Sequence, residues 1–170
     1  MLKYAKVLDN QTKLCEVGLG TDSSFYISVG MTEQEVEQAF DSNWYLKGYA
    51  PEQPLADLKL AKREEINNAR DAAEQGGFSY LGKVFDSDSI SCIRISCAAQ
   101  SMALAPAEAT ITWTCQDNST IDLTPSDLKG LVATLAMHSN TCHEKATALK
   151  AKIEAAQTAE ELAAITWDSL

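Results

Sequence analysis

A chain of 170 residues with 45% hydrophobic residues, 7% aromatics and a net charge of -10 has enough apolar content for one ordinary domain or two small ones. Its acidic surface repels a phosphate backbone. No Lys/Arg cluster appears beyond an isolated "AKREE", so nucleic acid and anionic membrane are poor partners. The five cysteines are odd in number and irregularly spaced, and neither a secretory signal nor an apolar run of membrane-spanning length is read. Reduced thiols in a cytoplasmic protein are expected.

In chain order, "LKYAKVLD" alternates apolar and polar residues and turns through "NQT" into "KLCEVG", which predicts a hairpin. "SSFYISVG" reads as a further strand. "GMTEQEVEQAF" reads as a helix, with Thr32 and Glu35 as a capping box and Val36, Ala39 and Phe40 on one face. Trp44, Tyr45 and Tyr49 close this small module and form its candidate docking surface. Pro51 and Pro54 mark the boundary, giving a 1–50 α+β docking module and a 51–170 domain.

The run from Leu55 to Gln75 lacks proline and glycine and predicts a helix, with Gly76 as its left-handed C-cap. "FSYLGKVFDSD" suggests a short strand pair. In "SISCIRISCAAQSMALAP", Ile90, Ile93, Cys97 and Met102 fit a helix ended by Pro106. Two β-prone runs around Asp117-Asn118, with Trp113 on one face, predict a hairpin. Thr124 as N-cap, Pro125 and Asp127 open a further helix. Its seam runs Leu128, Leu131, Leu135, His138, Cys142, Ala146, Leu149, Ile153 and Ala156, at about the 3.5-residue coiled-coil period. Thr158 with Glu161 caps a last short helix.

The fold class expected is therefore α+β: a β-hairpin/helix module, then a mainly α-helical domain with long helices and one β-hairpin. Leu128, Leu131, Leu135, His138, Cys142, Leu149 and Ile153 are its candidate helix-seam or oligomer interface.

"MHSNTCHE" holds both histidines. His138 and Cys142, four apart, share a helix face, but His143 lies about 100° around from Cys142. Zinc would need two more ligands, and Cys92 and Cys97 are not spaced as a knuckle. A Cys142–His138 pair lacks an oxyanion hole and an orienting third group. No metal, cofactor or catalytic residue is assigned; a metal- or thiol-dependent enzyme remains a remote alternative. "GLGTDSS" lacks the phosphate-loop lysine, "DSDS" lacks calcium-loop spacing, and "NST" carries no weight without a signal peptide.

"ITWTCQDNSTIDLTPSDLKGLVATLAMHSN" followed by "ALKAKIEAAQTAEELAAITW" resembles the C-terminal domain found in many bacteriophage tail and tail-fibre-region proteins. The matching landmarks are Trp113, Asn118, Leu123, Thr124, Ile153, Thr158, Glu160, Glu161 and Leu162. With "LKLAKREEINNARD" the likeness runs from about Leu55 to Trp167, and "KYAKVLDNQTKLCEVGLGT" and "WYLKGYAP" look like modules at the start of such proteins. The resemblance implies a non-enzymatic tail-fibre or tail-tip protein that contacts other tail or tail-fibre proteins and resides in the virion tail after assembly in host cytoplasm, and the helix seam adds the expectation of a homo-oligomer. A tail-fibre assembly chaperone absent from the virion is the alternative. The resemblance carries no catalytic residues.

Overall fold

The structure is a computed structural model that describes residues 1–170. It divides into two compact units, Met1–Pro54 and Leu55–Leu170.

The first unit is a closed four-stranded barrel. Strands β1 (Leu2–Val7), β2 (Leu14–Val17), β3 (Thr32–Gln38) and β4 (Trp44–Leu46) close in the order β1-β2-β4-β3, all neighbours antiparallel. Ala5, Cys15 and Val36 are buried at its centre, with Val7, Val17, Trp44 and Leu46 packed around them. Small side chains at Ala5 and Cys15 let so few strands close around one core.

Two sequence expectations exchange places here. The segment read as a capped helix is β3, in which Val36 points into the core while Glu33 and Glu35 face solvent. Its period of two holds from Glu33 to Gln38, and pairing to both β1 and β4 outweighs a local capping motif. Phe40, expected on the helical face, is exposed. Conversely, "SSFYIS" is a short helix, α1 (Ser23–Ser28), whose Asp22 side chain accepts a hydrogen bond from the Phe25 N–H at 3.0 Å. Its Tyr26 hydroxyl accepts from the Gly20 N–H at 2.6 Å, and the Tyr26 ring stacks on Tyr4.

A Cβ on Gly18 would lie 2.7 Å from the Tyr26 ring. Gly18→Ala should therefore cost the barrel about 1–3 kcal/mol, as overpacked sites do. Hydrogen exchange of the β1 and β2 amides measures this. In a Tyr26→Ala background most of the cost should vanish.

The second unit begins with α2 (Leu55–Gln75), then β5 (Phe78–Tyr80) paired with β6 (Lys83–Phe85), then α3 (Ser89–Met102). A second pair, β7 (Ile111–Thr114) with β8 (Thr120–Leu123), leads into α4 (Pro125–Ala155), α5 (Ala159–Ala163) and a 3₁₀ turn at Trp167–Ser169. The chain is α+β, but the expected hairpin/helix module followed by a mainly helical domain is overturned. Helix makes up 47% and strand 20%, with a four-stranded barrel and two further two-stranded sheets.

Helix α4 joins two cores. Its first half packs Leu128 and Leu131 against Phe78, Phe85, Ile95, Trp113 and Leu123. Its second half packs Ala146, Leu149 and Ile153 against Ile66 of α2 and Leu162 of α5. The seam thus faces its own chain, with Leu128, Leu131, Leu149 and Ile153 fully buried there, Cys142 buried, and Leu135 and His138 half-buried.

Helix α4 starts in a full capping box. Thr124 Oγ1 accepts from the Asp127 N–H at 3.2 Å, and Asp127 Oδ2 accepts from the Thr124 N–H at 3.0 Å. The Thr124 hydroxyl, donating to Asp127 Oδ2 at 2.6 Å, and after it the Thr124 N–H hold the Asp127 carboxyl below its ordinary value. Its stabilising contribution is therefore present above the unfolded carboxylate range and lost as pH falls through the lower folded value. Asp127→Asn should destabilise the chain at neutral pH and converge on wild type in strong acid. Urea titrations across that range measure the difference.

Candidate functional site

The stretch that holds both histidines lies on α4 between the two cores and meets the end of α2. A helix leaves its last carbonyls without intrahelical partners, and α2 has no basic residue in its last turn. Side chains from elsewhere supply the donors. The Glu74 carbonyl accepts from Ser87 Oγ at 2.5 Å and from His138 Nε2 at 3.2 Å, which fixes the proton on Nε2. Ser87, itself buried, also accepts from the Gly77 N–H at 2.9 Å. His138 stacks on Phe78. The left-handed residue that turns the chain out of α2 is Gly77, at φ +97°, and not Gly76 as the sequence suggested.

The Glu74 carboxylate faces α4 too. It accepts from Ser139 Oγ and lies 3.4 Å from His143 Nε2. His138 is thus a capping donor, Cys142 a packed thiol, and His143 a surface partner of Glu74. Burial pushes the Cys142 thiol up, and the Glu74 charge pushes it further. Cys92 rises for the same first cause, with Asp88 and Glu74 adding to it. A raised thiol holds little thiolate and is a weak nucleophile. Ser139 gives its proton to a carboxylate rather than to an imidazole, which is not the order of a serine–histidine pair. No group of three or more His, Cys, Asp or Glu side chains is placed to hold a metal ion, and no helix is long and apolar enough to cross a membrane.

Beside this node opens a groove of about 680 Å³ between the end of α2, α3 and α4. Glu74 and Gln75 close one end. Cys92, Ile93 and Ser96 form the α3 wall, and Val132, Leu135 and Ala136 the α4 wall. Helix α3 buries Ser91 and Ile95, with Ala98, Ala99 and Met102 also on the core side. The stripe read from the sequence splits accordingly: Met102 joins the core, whereas Ile90, Ile93 and Cys97 are exposed, Ile90 at 70% and Ile93 at 63%. The first turn of α3 is fixed by Asp88, whose carboxylate accepts from the Ser91 hydroxyl at 2.6 Å and from the Ile90 and Ser91 N–H groups. Those hydrogen bonds, led by the Ser91 hydroxyl, hold the Asp88 carboxyl low.

In the barrel unit, the candidate docking residues do not form one surface. Tyr45 is buried, with its hydroxyl on the Asp41 carboxylate at 2.8 Å, and Trp44 is half-buried beneath Lys3. Tyr49 alone is exposed. Met1, Leu2, Leu8 and Phe40 also face solvent, as do Leu19, Phe25, Ile27 and Val29 around α1. Sequence reading assigned that run to a strand; Asp22, a capping residue just before it, was the overlooked signal.

Comparison with known families places the second unit. The family model described as a domain of unknown function (DUF4376) matches residues 57–166. The chain belongs to this family. The matched segment lies within the Leu55–Leu170 unit and takes in α2, α3, α4 and the groove between them. Searches of curated proteins and of solved structures returned no match.

Proposed function

We propose that this DUF4376 protein is a non-enzymatic component of a bacteriophage tail-fibre or tail-tip apparatus that works through protein–protein contacts. The observation that carries the reading is the open apolar groove, walled by Val132 and Leu135 of α4 and by Ile93 of α3, 63% exposed. An apolar groove with an exposed isoleucine in its wall marks a contact surface. The resemblance to phage tail proteins supplies the context, and its landmarks Thr124 and Thr158 are the N-caps of α4 and α5. The net charge of -10 speaks against nucleic acid or anionic lipid as the partner. Self-association in the tail uses an exposed surface rather than the buried α4 seam.

The alternative role, assembly chaperone for a nascent fibre, is favoured by the same open face, which suits a client that binds and leaves. Quantitative mass spectrometry of purified particles from the phage that encodes the chain separates the two. A fixed copy number beside the tail proteins is expected of a virion component. Abundance in the infected-cell lysate, with absence from particles and co-purification with the fibre, makes it the chaperone. Absence from particles and from every fibre-containing complex overturns both.

A further inference from the structure

Helix α3 leaves a row of apolar side chains open to solvent. Ile90, Ile93 and Cys97 are exposed and, at 100° per residue, fall within about 60° of one another. The row lies roughly opposite Ser91 and Ile95, the residues that α3 buries. Its steps of three and four continue through exposed Gln100 to Leu104, 92% exposed just past the helix end. Alternating steps of three and four are the seam along which helices pair face to face. Exposed apolar side chains elsewhere do not line up in this way. Phe25 and Ile27, two residues apart on α1, point about 160° away from each other, and Leu60 stands alone on α2.

The row is also a stretch in which this acidic chain carries no acid. Of its 24 acidic residues, none falls between Asp88 and Glu108. The one charge in that run, Arg94, lies over the Trp113 ring of the same chain, 5.4 Å from its centroid. A basic partner therefore finds no carboxylate on the row, and an acidic partner finds only a guanidinium already engaged. An uncharged row is matched by another uncharged row. Two copies of the chain, each at -10, repel over most of their surface, yet meet here without setting carboxylate against carboxylate.

We propose that two copies of the chain pair through this face of α3, row against row about a two-fold axis, so that each copy covers Ile90, Ile93 and Cys97 of the other. A two-fold contact uses the same patch on both chains and closes at two. A single helix face is a small interface, so the pairing is reversible, with a dissociation constant on the order of 10 μM. Cys97 stands within two residues of the middle of α3. Pairing in either direction therefore brings the two Cys97 thiols within about 10 Å of each other. The pairing goes beyond the tail reading and does not require it.

The test uses the full 170-residue chain, kept reduced. Sedimentation equilibrium from about 1 to 500 μM should show the mass rising from one chain to two and no further. Ile93→Asp sets unpaired carboxylates into the contact and should weaken the pairing at least about tenfold. Met137→Asp adds the same charge at an exposed site on α4 and should leave the pairing within about twofold. Both substitutions are at exposed positions, and unchanged circular dichroism confirms that each variant is folded. A bis-maleimide of about 10 Å span should join two chains through Cys97. Cys97→Ser should remove that product while the mass still reaches two chains.

A chain that stays single throughout that range, a mass that grows past two, a dimer indifferent to Ile93→Asp, or cross-links that form without Cys97 would each overturn the proposal. The first of these outcomes would leave the row to a foreign protein. The tail reading fails separately. Pairing of the isolated chain with absence from particles and from fibre complexes removes that reading alone, while presence in particles with a single chain in solution removes the pairing alone.

Discussion

Gly77→Ala should lower the stability of the second unit by about 2–4 kcal/mol, among the largest effects of any conservative change in the chain. Two causes act at once. The backbone there has φ +97°, which L side chains rarely adopt, and an added Cβ would lie 3.0 Å from the Phe85 carbonyl and 2.8 Å from Gln116 Nε2. Relief by backbone movement is blocked, because the Gly77 N–H donates to buried Ser87 and Gln116 holds the Gly76 carbonyl. Gly76→Ala is the control. That residue has no positive φ and its nearest obstacle is 3.1 Å away, so its cost should be about 1 kcal/mol or less. Urea unfolding of the two variants gives the comparison. Equal costs would show that the turn out of α2 does not depend on Gly77.

Leu149→Ala should cost about 2–5 kcal/mol, the range for deleting a fully buried leucine side chain. Leu149 packs with Ile66 of α2 and with Ile153, Leu162 and Ile165, all buried in the same chain. The loss should therefore lower Tm by the same amount at every protein concentration, with no change in molar mass. A Tm that rises with concentration in wild type and ceases to do so in the variant would mean that this seam pairs between chains. Leu60, exposed on α2, serves as the reference, and its replacement by alanine should change stability by less than about 0.5 kcal/mol.

What could be read in the sequence follows the range of the interaction that decides each element. The starts of α4 and α5 were legible because Thr124 and Thr158 accept from N–H groups three residues away. The β7–β8 hairpin was legible for the same reason: its register closes over Thr114 and Thr120. The segment at Thr32–Gln38 misled because its first half, Thr32–Glu35, is held as a strand by Leu2–Ala5, some thirty residues earlier in the chain. A capping motif is local chemistry and has no knowledge of such a partner.

The candidate site divides the same way. The spacing of His138 and Cys142 put them on one helix face, but the Glu74 carbonyl that His138 caps is 64 residues distant. Nor could spacing say which side of α3 is covered. Its apolar residues go nearly all round, and the packing of Ile95 beside Phe85 and Leu128 decides that Ile90 and Ile93 stay in water.

The closed barrel carries a consequence for how the first unit can be gripped. Every strand of Met1–Pro54 has a neighbour on both sides, so the ring offers no row of free N–H and C=O groups. A neighbouring chain cannot extend it by adding a strand, and a crowd of identical copies has no template for runaway stacking. Whatever grips this unit must do so through side chains, which makes its attachment a matter of shape and residue identity that single substitutions can retune.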